Sequence, residues 1–193
     1  MNLKQLVIAS RNPHKIQEMQ QILQPLGIEV LSTQDFAELE EVVEDKETLQ
    51  GNALKKARYV ASETGLPALS DDTGLEVEAL DGAPGVYSAR YAGKNASYQD
   101  NVDKLLVELK NATTRKAQFR TVVALVNGAE EFTFEGVCKG EIITEKRGSG
   151  GFGYDPVFRP DGYEKTFAEL DSETKNKISH RGRAIQKFVE FLG

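Results

Sequence analysis

Short apolar runs alternating with stretches of helical period constrain this chain most, because that alternation is the signature of helices covering a sheet. QLVIAS, residues 5–10, reads as a first buried strand. RNPHKIQEMQQILQPLG follows, with Ile16, Met19, Leu23 and Leu26 at helical spacing. Asn12 suits the N-cap there, Pro13 the first helical position and Gly27 the stop. IEVLS is a second strand. ETLQGNALKKARYVASETG sets Leu49, Ala53, Ala57 and Val60 on one face and ends at Gly65, with Pro67 just beyond. LEVEAL reads as a strand before the loop DGAPGVYSARYAG, and SYQDNVDKLLVELK opens on a capping-box pattern, Ser97 to Asp100, carrying Val102, Leu105, Leu106 and Leu109. Asn127-Gly128, between the strand-like runs of QFRTVVALVNGAEEFTFEGVCKGEI, is a hairpin signal. HRGRAIQKFVEFLG closes the chain as a helix using Ile185, Phe188 and Leu192. The pattern predicts an α/β fold with a mixed sheet.

LPALSDDTGLEV, residues 66–77, poses a problem inside that pattern. It reads as two short apolar strands with Asp71 and Asp72 side by side between them. Adjacent carboxylates beside a buried strand are unstable unless positive charge sits against them. Neighbours in an extended segment point to opposite faces, so the two aspartates are expected to do different jobs. A plain DDTG turn is the alternative. The acidic run ELEEVVEDKE offers Glu44 as a second oxygen ligand. Hard oxygen ligands without a cysteine or histidine cluster point to Mg2+, so the expected positive partner is a divalent cation.

Three further polar clusters stand out. In SRNPHK, residues 10–15, a strand hands over to a helix whose N-terminal amides and Lys15 can hold an anion, although a capped helix with a solvated lysine fits as well. GSGGFGYDPVF, residues 148–158, sets Phe152, Tyr154 and Asp155 among glycines, a loop that lets backbone approach a ligand and an aromatic stack on a flat ring. In KNKISHRGRA, residues 175–184, Lys175, Lys177, Arg181 and Arg183 gather with His180 at a helix start. Basic residues there oppose the macrodipole, which points to an incoming anion over a merely solvated face.

Bulk properties narrow the class. With 193 residues, 39% hydrophobic and 28% charged, the chain reads as one globular domain, residues 1–193. A net charge of −6 argues against nucleic acid and anionic membrane as partners. One cysteine, Cys138, excludes an internal disulfide framework and reads as small apolar filling. MNLKQLVIAS has too short an apolar run for a signal peptide, so a soluble cytoplasmic protein is expected.

SRNPHK, GNALKKA, SDDTGLEVEALDGAPGVYSARYAG, GGFGYDPVF and ISHRGRA resemble, in order and spacing and nearly end to end, the inosine triphosphate pyrophosphatase family. Arg11 and Pro13-His14 stand where many bacterial members have small residues, and Thr73 replaces a common serine while keeping the hydroxyl. The resemblance implies an elongated two-lobed α/β fold around a mixed sheet with flanking helices, a site in the cleft between lobes, and a homodimer. It implies Mg2+-dependent attack of water on the α-phosphorus of ITP, dITP or XTP, with Mn2+ able to substitute. Asp72 then resembles the general base and metal-linked carboxylate, with Glu44 the second metal carboxylate. Ser10, Arg11, Asn12, Pro13, His14, Lys15, Thr73 and Lys175 fall in the triphosphate-binding motifs. Phe152, Gly153, Tyr154 and Asp155 resemble the nucleoside pocket, with Phe152 stacking on the base and His180 and Arg181 reading the purine 6-oxo group. A nucleotide-binding regulator would keep the cationic and glycine clusters without needing the acidic pair. A pyrophosphatase for modified pyrimidine nucleotides is the nearer rival, and ISHRGRA argues for the purine enzyme because donors suit a 6-oxo acceptor.

Overall fold

The computed structural model describes residues 3–193, so Met1 and Asn2 of the stretch MNLKQLVIAS lie outside the described residues. Strand β1 (Gln5–Ile8) buries Leu6, Val7 and Ile8 completely. It leads into helix α1 (Pro13–Leu23), whose N-terminus forms as its residue types dictate. The Asn12 side-chain oxygen accepts from the amides of His14 at 3.0 Å and Lys15 at 3.4 Å. The helix stops short of its apolar spacing: Pro25 has no N–H to continue the ladder, Gln24–Leu26 tightens into a 3-10 turn, and Leu26 is 43% exposed rather than in the core.

β2 (Glu29–Ser32) pairs parallel to β1 in the register Gln5↔Glu29 to Ile8↔Ser32. Helix α2 (Leu49–Thr64) is capped by Thr48, buries Leu49, Ala53, Ala57 and Val60, and ends at Gly65, whose φ of 68° is left-handed. β3 (Ala68–Val77) then pairs parallel to β1 through Val7↔Ala68 and Ile8↔Leu69. This corrects the sequence reading of LPALSDDTGLEV: Asp71 and Asp72 do not separate two strands but lie inside one ten-residue strand. β4 (Pro84–Gly85) pairs antiparallel to β3, and Gly74 permits it, since a Cβ there would stand 2.7 Å from the Gly85 carbonyl oxygen.

Helix α3 (Tyr98–Glu108) carries the full capping box of Ser97 and Asp100. β5 (Lys116–Asn127) and β6 (Glu130–Ile142) are sheet neighbours turning at Asn127-Gly128, and β7 (Phe158–Pro160) runs antiparallel to β6. Helices α4 (Ser172–Ile178) and α5 (His180–Leu192) finish the chain. The sheet is mixed, in the order β2-β1-β3-β5-β6-β7 with β4 beside β3. Among the described residues no helix is long and apolar enough to cross a membrane.

Two compact units divide the chain. The first comprises the chain up to Asp72, Thr121–Gly136 and Arg181–Gly193; the second comprises Thr73–Arg120 and Val137–His180. Each has its own core. In the first, Leu6, Ile8, Met19, Leu23, Leu69, Val123, Leu125, Ile185 and Phe188 pack together. In the second, Leu75, Leu105, Phe119, Tyr154, Phe158 and Phe167 do.

Candidate active site

In the first unit, β3 delivers Asp71 to a fully buried position. The guanidinium of Arg181, from the first turn of α5, donates to Asp71 Oδ2 from Nε at 3.1 Å and from Nη2 at 2.9 Å. Lys15 Nζ, one turn into α1, lies 3.2 Å from the same oxygen. Lys56 Nζ, from α2, donates to the Asp71 carbonyl oxygen at 2.7 Å. Burial pushes the Asp71 carboxyl up, but Lys15, Arg181 and Lys56 outweigh it and hold it far below the ordinary carboxylate range. Part of the positive charge that the sequence calls for beside Asp71 thus comes from the side chains of Lys15 and Arg181. Arg181 Nη1 also donates to Glu18 Oε2 at 2.5 Å, and the guanidinium is only 2% exposed. The sequence reading turned Arg181 toward a purine; the structure directs it to Asp71 and Glu18.

Asp72 behaves differently. Its Oδ2 accepts from Asn52 Nδ2, on α2, at 3.0 Å. Burial raises its proton affinity, Lys56 and Lys15 oppose this, Glu44 adds to it, and the balance is upward. Glu44 is paired with Lys56. Burial pushes the Glu44 carboxyl up, yet Lys56 and Lys15 bring it below its ordinary value. Lys56 itself is held protonated: burial works against it, but Glu44, Asp72 and Asp71 prevail.

Among the described residues no group of three or more His, Cys, Asp or Glu forms a ready metal cage. Two mutually repelling hard carboxylates, Glu44 and Asp72, nevertheless fit Mg2+, which keeps water and phosphate oxygens in its shell and needs only one or two protein carboxylates. Around them, Ser10 Oγ accepts from the Asn12 amide at 3.2 Å, and Thr33 Oγ1 donates to the Ser10 carbonyl at 2.6 Å. Arg11 is exposed and donates to the Leu39 carbonyl, and Pro13 and His14 are exposed at the start of α1. Glu44 is placed by a stripe of α2 that the apolar pattern hides. Asn52 holds the Lys46 backbone, Lys55 the Val43 carbonyl and Asp45, Lys56 holds Glu44, and the Tyr59 hydroxyl accepts from the Glu40 amide. Their i, i+3, i+4, i+7 spacing is one helix face.

In the second unit the glycine loop turns back on Asp155, whose Oδ2 accepts from the Phe152 amide at 2.8 Å and from Lys175 Nζ at 2.7 Å. Gly151 is required there, since a Cβ would stand 2.1 Å from that Oδ2. Lys175 Nζ also lies 5.0 Å from the centroid of the Phe152 ring, a cation–π contact. Phe152 and Gly153 are half-buried, as is Thr73. Tyr154 is buried in the core, and its hydroxyl donates to the Ser88 carbonyl at 2.8 Å. His180 is buried with its ring stacked on Phe119, centroids 4.5 Å apart and planes at 17°.

The basic run KNKISHRGRA is broken at Ser179, which caps α4. Lys175 and Lys177 thus stand in the last turn of α4, where positive charge suits the dipole, and Lys177 pairs with Glu173 at 2.6 Å. This corrects the expectation that these cations oppose a helix N-terminus.

The model of the Ham1 family matches residues 6–191. The chain belongs to the Ham1 family. Among its relatives are a dITP/XTP pyrophosphatase of Porphyromonas gingivalis, 50% identical over 98% of both chains, and one of Flavobacterium johnsoniae, 49% identical over 97% of both. The solved Ham1 protein of Coxiella burnetii superposes with a TM-score of 0.89 at 42% identity, and that of Staphylococcus aureus with 0.87 at 41%, each covering 98% of both chains. The mixed sheet with flanking helices is thus a Ham1 fold. Sequence reasoning did not single out Glu18, Asn52, Lys56 or Phe119; only the polar stripe of α2 left a readable signal, through its spacing.

Proposed function

We propose that this chain hydrolyses the non-standard purine nucleoside triphosphates ITP, dITP and XTP to monophosphate and pyrophosphate, cleansing the nucleotide pool. Relatives of about half identity bearing the name dITP/XTP pyrophosphatase support the substrate class. The observation that carries the chemistry is the contrast between neighbours on β3. Asp71 is locked as an anion by Lys15 and Arg181, whereas burial and Glu44 raise the proton affinity of Asp72. A carboxylate whose donor is the neutral Asn52 amide, in place of a guanidinium, keeps more of the basicity that a general base needs.

In this reading Asp72 takes the proton of the water that attacks the α-phosphorus, and the bond from that phosphorus to the bridging oxygen of pyrophosphate breaks. Glu44 and Asp72 would hold Mg2+, with Mn2+ as a substitute. Bound there, the ion would lower the pKa of water and offset phosphate charge. Lys15 and Lys56 face the phosphate oxygens, with Ser10, Arg11, Asn12, Pro13, His14 and Thr73 completing the triphosphate contacts. Phe152 stacks on the base beside Gly153, Tyr154 and Asp155, Lys175 supports them, and His180 offers an N–H to the 6-oxo oxygen. Arg181 serves by holding Asp71. A cytoplasmic homodimer without nucleic-acid or membrane partners completes the proposal.

Pyrophosphate release from ITP, XTP, dTTP, ATP and GTP, with Mg2+ and with EDTA, tests it. ITP and XTP should be hydrolysed well ahead of ATP and GTP, and EDTA should abolish turnover until Mg2+ or Mn2+ is restored. Preference for dTTP would transfer the chain to the pyrimidine class, and turnover in EDTA would remove the metal. Light scattering checks the dimer.

A further inference from the structure

Asn52 is fully buried near the N-terminus of α2, and every polar atom of its side chain is used. Oδ1 accepts from the Lys46 amide at 2.9 Å, and Nδ2 donates to the Lys46 carbonyl at 3.4 Å and to Asp72 Oδ2 at 3.0 Å. These partners fix the orientation of the amide. The Lys46 N–H requires an acceptor and the carboxylate requires a donor, so a flipped amide would lose both bonds. A buried amide is costly unless fully satisfied, and this one is satisfied only when Asp72 and the segment bearing Glu44 stand at one separation. Lys46 lies two residues beyond Glu44 in the same non-helical segment.

We propose that Asn52 is a positioning residue that sets the spacing of Asp72 and Glu44, and through it the affinity for a divalent cation. It rests on the reading of those two carboxylates as the metal-holding pair. Side chains that orient ligands from behind are worth about 10- to 100-fold in metal affinity or activity when removed. A merely structural asparagine would lower the melting temperature and leave metal affinity unchanged.

The test is Mn2+ binding to the substrate-free full chain, followed by the electron paramagnetic resonance signal of free Mn2+. Asn52→Ala should weaken binding by about 10-fold or more. Trypsin should also cut after Lys46 faster, because the segment has lost its tie. Wild-type Mn2+ affinity and wild-type resistance at Lys46 in Asn52→Ala would overturn the proposal. Should Asn52→Ala fail to fold, Asn52→Leu fills the volume without the hydrogen bonds and takes its place, with the same outcomes. Independently of any variant, Mg2+ added to the wild type should shift the Asn52 side-chain amide resonances, and unmoved resonances would overturn the proposal. If Glu44→Gln and Asp72→Asn bind Mn2+ as the wild type does, the metal assignment fails and this inference falls with it. If those two lose Mn2+ while Asn52→Ala keeps it, only the role of Asn52 is wrong.

Discussion

The two units solve the burial of charge in opposite ways. In the first, the carboxylates of Glu18, Glu44, Asp71 and Asp72 meet the three cations Lys15, Lys56 and Arg181, and each cation is within reach of at least one carboxylate oxygen. Acid exceeds base there, and the excess settles on Asp72, where burial and Glu44 raise proton affinity. In the second, a single lysine, Lys175, balances a single buried acid, Asp155, within a setting of aromatic rings. The first arrangement suits a cation and a phosphate chain; the second suits a flat, uncharged ring. Local charge balance, more than residue count, decides which chemistry a unit supports.

That contrast can be broken by mutation. The largest effect should be on stability in the first unit: Arg181→Ala leaves buried Asp71 with Lys15 but without its guanidinium, and Asp71→Asn leaves buried Arg181 with Glu18 as its remaining carboxylate, each costing about 3–5 kcal/mol in urea or thermal unfolding. Lys175→Ala should cost less, because Asp155 keeps the Phe152 amide as a donor. If Lys175→Ala proves equally costly, the two units are not different in kind.

Next comes Asp72→Asn, which should cut kcat by at least about a hundredfold, the range for a general base. Its melting temperature should not fall below that of the wild type, since the folded protein penalises a charged Asp72. Near-normal turnover would dismiss Asp72 as the base. In the second unit, Phe152→Ala should weaken ITP binding by roughly 1–3 kcal/mol, the value of one stacked base. Affinity measured by calorimetry and unchanged by this substitution would remove Phe152 from the base.

The smallest effect is pH-dependent and opposite in sign for the two aspartates. The folded value of Asp71 lies below its unfolded value of about 3.9, so its stabilisation is present above that pH and disappears on further acidification. Asp72 has a raised folded value, so stability is gained as pH falls through it and lost as pH rises. From neutrality toward about pH 4, the wild type should therefore gain on Asp72→Asn while holding its advantage over Asp71→Asn. Parallel thermal-melt curves for all three proteins would refute the split.

Much of this molecule is legible without coordinates. The apolar faces of α2 and α3, the caps at Asn12 and Ser97, and the Asn127-Gly128 turn all depend on contacts within a few residues, which period and residue type encode directly. The acidic pair is also visible, and the different surroundings of its two members follow from strand geometry, which sends neighbours to opposite faces.

What tertiary structure alone decided is which charges meet. Arg181 reaches Asp71 across 110 residues of sequence, and no local pattern announces that a strand can run unbroken through two aspartates because an arginine and a lysine from two helices meet the first. Asn52 and Lys56 lie off the apolar face of α2 that periodicity reveals, and only the segment around Glu44, laid along the helix, gives them their partners. Tyr154, in a glycine-rich loop, turned inward to Ser88, 66 residues away. Local chain stereochemistry acts over a few residues, so the sequence determined the elements and their capped ends by itself. Coulombic and hydrogen-bonding partners are set by proximity in space, so only the packed chain could assign them.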